Sequence, residues 1–232
     1  MMDGMRLQRI VRFSALLALI TALATGLSVI NGTDNASSAG WAIISRFVVV
    51  LMFGGLGLMV AHESHLRGSV LMTSEEWPAT LRDILNWGIL PGLVLGIINY
   101  FFFFAYRYSP FVAPRFRNIH SFYDSFILSL DSGLAEEVVF RLFFLSCLLF
   151  SFRHLYARLR PVWPSLVSVL PIVLALVSSS LLFALEHNLS SFTAAFFGGM
   201  LLGWIYLRSG IESAIAAHFA ANFLFFSASY LS

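Results

Sequence analysis

Long apolar runs follow one another along the chain, and a bilayer-spanning helix needs about 20 largely apolar residues. Seven runs meet that need: residues 13–30, 41–61, 87–106, 134–152, 165–186, 192–207 and 211–231. They predict an all-α, polytopic membrane helix bundle. The first run is long for a signal peptide, and no small-x-small cleavage site follows it, so it reads as a retained helix. The connections are short and leave no room for a second, soluble domain. The longest covers residues 62–86, where Ser74, Glu75, Glu76, Trp77 and Pro78 look like the start of an interfacial helix.

Small residues recur where helices could pack closely. Gly88, Gly92 and Gly96 are spaced by four on the third run, as are Gly199 and Gly203 on the sixth. That spacing lets helix backbones approach within a bilayer. No period of 20–50 residues repeats, which excludes a solenoid.

Composition agrees with a membrane protein. Of 232 residues, 59% are apolar, 16% aromatic and only 11% charged, against about 25% charged in a soluble domain. Fourteen basic and twelve acidic residues give a formal charge of +2, too small a footprint for nucleic acid. Every basic residue is arginine, which reads as codon bias. The single Cys147 excludes an internal disulfide and a cysteine zinc module. Arg6, Arg9, Arg12, Arg67, Arg82, Arg153, Arg158, Arg160 and Arg208 would share one side, against Arg107, Arg115 and Arg117 on the other. That bias predicts an inside N-terminus. Two features work against it: the 106–121 connection itself, and residues around Leu128 that could form a parity-changing half-helix. The expected location is the cytoplasmic membrane of a prokaryotic cell.

Ionisable groups at membrane depth cost at least about 2.5–3.5 kcal/mol each, so each needs a reason. The first half supplies only Arg46, which snorkels or pairs. The second half supplies four sites. Asp131-Ser132-Gly133 reads as a helix breaker with capping residues, predicting a helix start near Leu134. Glu136 and Glu137 would then occupy a first turn favourable to negative charge. Glu137 and Arg141, four apart, are placed for an ion pair. Glu136 lies about 100° round the helix and faces something else. Two carboxylates with one cation leave a surplus charge or a proton, which suits a general base. The bland alternative is a structural salt-bridge cap.

Phe183 and His187 share a face at the end of the fifth run. If the fourth and fifth helices run antiparallel, Glu136 and His187 can meet. His218 and Asn222 point to one side of the last helix. His218 lies about 10 Å from that helix's start, deeper than His187 unless tilt or the short sixth helix closes the gap.

Several membrane chemistries are excluded by spacing. His62-Glu63-Ser64-His65 is one residue short of His-Glu-x-x-His and reads as a solvated helix end. Tyr123-Asp124 supplies half of an aspartyl pair, and no Gly-x-Gly-Asp follows. No serine has a Gly-x-Ser-x setting facing a histidine, and Cys147 reads as structural.

What remains is Glu136-Glu137-x-x-x-Arg141, Phe183-x-x-x-His187 and His218-x-x-x-Asn222 on successive helices. Here the sequence resembles the CAAX-processing and bacteriocin-processing (CPBP or Abi) family of intramembrane endopeptidases. Residues 203–210, leading into His218, look like that family's approach to its third motif. The resemblance covers about residues 132–226 and departs at Leu142, where a small residue commonly follows the motif arginine. It divides the single structural domain into a variable transmembrane half, 1–120, and a catalytic half, 121–232.

The resemblance implies about eight helices around a polar, water-accessible cavity, and hydrolysis of a peptide bond in a membrane-associated protein or peptide. A prenylated substrate is one form. Membrane lipid is the other implied partner. Carried over by motif, Glu136 is the water-activating base assisted by His187, His218 and Asn222 stabilise the oxyanion, and Glu137 and Arg141 support them. No cofactor is required by that reading. The competing view is a zinc site with Glu136, His187 and His218 as ligands. A non-catalytic immunity or scaffold protein of the same family is the alternative function. A transporter would show polar, broken helices in both halves, and here they lie in one.

Overall fold

The computed structural model describes residues 4–30, 39–66, 77–106, 119–157 and 164–231, and among them the chain forms seven continuous helices. These are α1 (Gly4–Ile30), α2 (Ala39–Glu63), α3 (77–106), α4 (122–157), α5 (Pro164–Leu185), α6 (Phe192–Ser209) and α7 (Ile211–Leu231). Helices α3 and α4 each pass through a π-helical stretch, Ile84–Ile89 and Val138–Leu145, without breaking. Among the described residues, five helices are long and apolar enough to cross a membrane: α1, α2, α3, α5 and α7. The other two of the seven expected crossings, α4 and α6, are not among these five. Asp131, Glu136, Glu137 and Arg141 lie within α4, and α6 combines 18 residues with Gly198, Gly199, Gly203 and Arg208.

The start of α4 corrects the sequence reading. The helix does not begin near Leu134 but at Phe122, and it runs unbroken through Asp131-Ser132-Gly133. Ser121 and Asp124 form a reciprocal cap. The Asp124 amide donates to Ser121 Oγ at 3.1 Å, and Ser121 Oγ donates to Asp124 Oδ2 at 2.9 Å. A cap of this kind satisfies helix-start donors. Asp131 and Ser132 spend their polar groups sideways instead of on capping. Asp131 meets Thr25 and Arg46, and Ser132 Oγ donates to the Leu128 carbonyl at 2.9 Å. The continuous helix also removes the half-helix considered around Leu128.

The interfacial helix expected near residue 77 likewise continues into the third crossing, starting at Trp77 with Pro78 in its first turn. Ser74, Glu75 and Glu76 lie outside the described residues, as do residues 107–118. The His62–His65 stretch closes α2. His65 adopts φ 53°, its amide bonds the His62 carbonyl at 2.9 Å, and Leu66 bonds the Ala61 carbonyl at 2.9 Å. That pattern is a left-handed helix stop. Arg153 of α4 donates to the Ser64 carbonyl at 2.7 Å and ties two helix ends together.

Contacts fix the directions of the helices. Thr25 meets Asp131, Ser64 meets Arg153 and Tyr206 meets Ser146, so the start of α1 lies with the ends of α2, α4 and α6. Gly88 packs on Ser213, which brings the starts of α3 and α7 to the same end. Arg9, Arg12, Arg82, Arg153 and Arg208 therefore gather at one end of the bundle.

The glycine stripe on α3 does what its spacing predicts. A Cβ at Gly88 would lie 2.9 Å from the Ser213 carbonyl oxygen, and one at Gly96 would lie 2.7 Å from that of Ala221. At Gly92 the same atom would overlap the Ala217 carbonyl. Backbone therefore lies on backbone along α3 and α7, next to His218 and Asn222. Leu142 has a similar arrangement: a Cβ at Gly57 of α2 would sit 2.7 Å from its carbonyl oxygen. Leu142 is fully buried, and the small residue that makes room for it stands on the facing helix. Large apolar side chains such as Val94, Ile98, Phe101 and Val169 are exposed on the outer faces, as lipid contact requires.

Candidate active site

Glu136 and Glu137 end the α-helical first part of α4, immediately before its π-helical stretch. They are not in a first turn, so helix-terminus electrostatics does not explain them. Single π turns inside α-helices often mark functional positions, and this stretch starts directly after the two carboxylates and contains Arg141.

Glu137 is wholly buried and makes two polar contacts. Its Oε1 lies 3.2 Å from Arg141 Nη1, the pair expected from the spacing, and 2.7 Å from His218 Nδ1. Arg141, also buried, lies 4.2 Å from the centroid of the Phe183 ring. A desolvated guanidinium over an aromatic face gains about 2 kcal/mol or more. The arginine is thus held by a carboxylate on one side and a ring on the other.

Glu136 was expected to face a different partner from Glu137. Instead, both reach one imidazole. Glu136 Oε2 lies 3.8 Å from His218 Nε2, and its side chain keeps 25% exposure where that of Glu137 keeps none. The separation is too long for a direct hydrogen bond. One carboxylate is locked in the interior and the other remains accessible.

Phe183 connects the two histidines: its ring centroid lies 4.7 Å from that of His187 and 6.0 Å from that of His218. Phe183 thus stands in contact with both histidines, and α5 ends within one turn of it. Helix α7 continues 13 residues past His218, about 20 Å. His187 follows the end of α5, and its Nδ1 lies 2.9 Å from the Phe183 carbonyl oxygen. A carbonyl only accepts, so Nδ1 carries a proton, and in the neutral ring Nε2 presents a lone pair.

Asn222 stands one turn beyond His218 and donates from Nδ2 to Ser132 Oγ at 2.8 Å. Sequence reasoning missed Ser132 as a partner, having assigned it to a cap. It also left Arg46 without a specific partner, although Asp131 was an unmatched opposite charge in the other half. Arg46 Nη2 lies 3.5 Å from Asp131 Oδ2, and Thr25 Oγ1 donates to Asp131 Oδ1 at 2.8 Å. Opposite charges at membrane depth seek each other, and that was the available signal.

A zinc centre would need Glu136, His187 and His218 to converge. Among the described residues, no three His, Cys, Asp or Glu side chains form a group that could hold a metal ion. Glu137 holds His218 Nδ1 and the Phe183 carbonyl holds His187 Nδ1, which leaves both Nε2 atoms free, as in metal-ligating histidines. Chelation therefore decides between the glutamate and zinc readings.

Residues 118–224 match the family model described as type II CAAX prenyl endopeptidase Rce1-like. The match contains all three motifs and agrees with the resemblance drawn from them. No curated protein and no solved structure matches the chain.

Proposed function

We propose that this chain is an intramembrane endopeptidase of a prokaryotic cytoplasmic membrane. It hydrolyses a peptide bond in a membrane-associated protein or peptide, of which a prenylated C-terminal segment is one form. One observation carries the reading. Two adjacent carboxylates meet the two nitrogens of one histidine from a different helix, and only Glu136 of the two is accessible.

In this mechanism Glu136 takes a proton from water as the water oxygen attacks the carbonyl carbon. His187 accepts a hydrogen bond from the same water through Nε2 and orients it. The carbonyl π bond breaks, and the oxygen becomes an oxyanion. With Nδ1–H held by Glu137, Nε2–H of the doubly protonated His218 donates to that oxyanion, together with an Asn222 N–H. Fixed donors of this kind act where charge develops. Collapse of the intermediate breaks the C–N bond, and Glu136 returns its proton to the leaving amine. Glu137 and Arg141 are positioning residues that act through His218.

The test uses the full chain in liposomes with a fluorogenic peptide bearing a farnesylated C-terminal segment. Cleavage at a single internal peptide bond supports the reading. No cleavage of this peptide, or of a pool of lipidated membrane peptides, would leave the non-catalytic immunity or scaffold role.

A further inference from the structure

We propose that Ser132 is a positioning residue that fixes which end of the Asn222 amide faces the site. The inference rests on the reading of Asn222 as an oxyanion donor. Ser132 Oγ donates its one proton to the Leu128 carbonyl at 2.9 Å, and a carbonyl can only accept. The hydroxyl therefore offers Asn222 nothing but lone pairs. The amide must turn its NH2 group toward Ser132, as the 2.8 Å contact from Nδ2 records. One N–H is used there, and the second stays available to an oxyanion. Without the hydroxyl, a half-turn about the last side-chain torsion exchanges NH2 and C=O. A carbonyl oxygen would then stand where negative charge develops.

The stretch that carries Ser132 is held from both sides. Asp131, its neighbour, is bound by Thr25 of α1 and Arg46 of α2. On the other flank, a Cβ at Gly133 would lie 3.3 Å from the Phe219 nitrogen, so α7 packs directly against the α4 backbone. Three consecutive residues thus connect the motif-free first half to the helix that bears His218 and Asn222. Through them the first half takes part in the geometry of the site.

The experiment is a double-mutant cycle on the purified full chain with the farnesylated reporter peptide. Ser132→Ala should lower kcat about three- to tenfold, the rate equivalent of one ordinary hydrogen bond, with KM unchanged. Ser132→Thr keeps the hydroxyl and should retain most of the rate. In an Asn222→Ala background, Ser132→Ala should change nothing further, because no amide is left to orient. Equal losses in both backgrounds would overturn the inference, as would full kcat in Ser132→Ala. A wild-type chain that cuts neither this peptide nor other lipidated peptides overturns the protease reading and this inference with it. Multiplying losses in an active enzyme overturn this inference alone.

Discussion

His218 Nδ1 lies 2.7 Å from Glu137 Oε1, a buried contact across 81 residues of sequence. It joins the first motif to the third and leaves the opposite ring nitrogen toward Glu136. Glu137→Gln keeps the shape but exchanges the carboxylate for an amide that cannot stabilise a charged ring. The expected result is a kcat loss of up to about 10⁴-fold, as when a buried carboxylate behind a working histidine is amidated. KM should change little. Steady-state kinetics on the purified variant checks this, and an unchanged kcat would exclude the positioning role.

Arg141 has Glu137 on one side and the Phe183 ring on the other. Arg141→Ala leaves the Glu137 charge buried with only His218 to answer it. Removing one partner of a buried pair costs about 3–5 kcal/mol, so expression and thermal stability should fall together with activity. Arg141→Lys should rescue only part of this, because a lysine lacks the flat guanidinium that lies on Phe183. Thermal denaturation of the detergent-purified variants is the measurement.

Gly92 sets how closely α3 approaches the helix that carries His218 and Asn222. Gly92→Ala places a methyl group against the Ala217 carbonyl, and overpacking of this kind costs about 1–3 kcal/mol. Because Ala217 precedes His218, the variant should lose activity beyond what its stability explains. Gly40→Ala, where a Cβ meets nothing within 4 Å, is the control and should behave as wild type.

Thr25→Val removes a donor from Asp131 and keeps the side chain's shape. Leaving a largely buried acceptor short of a partner costs about 1–3 kcal/mol. Arg46→Ala should cost more, because the pair lies in the membrane-spanning part of the bundle, where an unmatched carboxylate costs about 2.5–3.5 kcal/mol. Comparing the two melting temperatures tests this order.

The sequence made legible those features that depend on spacing within one helix. The Glu137–Arg141 pair, the common face of Phe183 and His187, and the α3 glycine stripe all follow from periods of three and four residues. Features that depend on which helix lies opposite were not legible. Asp131 and Ser132 have the residue types of a cap, and only the positions of Thr25, Arg46 and Asn222 turn them into cross-helix partners. Glu136 and Glu137 were separated by helix geometry alone, yet one imidazole on α7 is placed between their reach. The π-helical stretch after Glu137 has no sequence signal in residues 138–145 that distinguishes it from ordinary apolar helix.

The most direct test of the account is hydrolysis of the farnesylated reporter by Glu136→Gln, measured beside the wild type with and without a zinc chelator. The account predicts that Glu136→Gln keeps the wild-type melting temperature and loses all measurable turnover, because the amide has the shape without the base. It also predicts that chelator leaves the wild-type rate unchanged. An active Glu136→Gln enzyme would contradict the assignment of the base. A wild-type enzyme silenced by chelator and restored by zinc would contradict the metal-free mechanism.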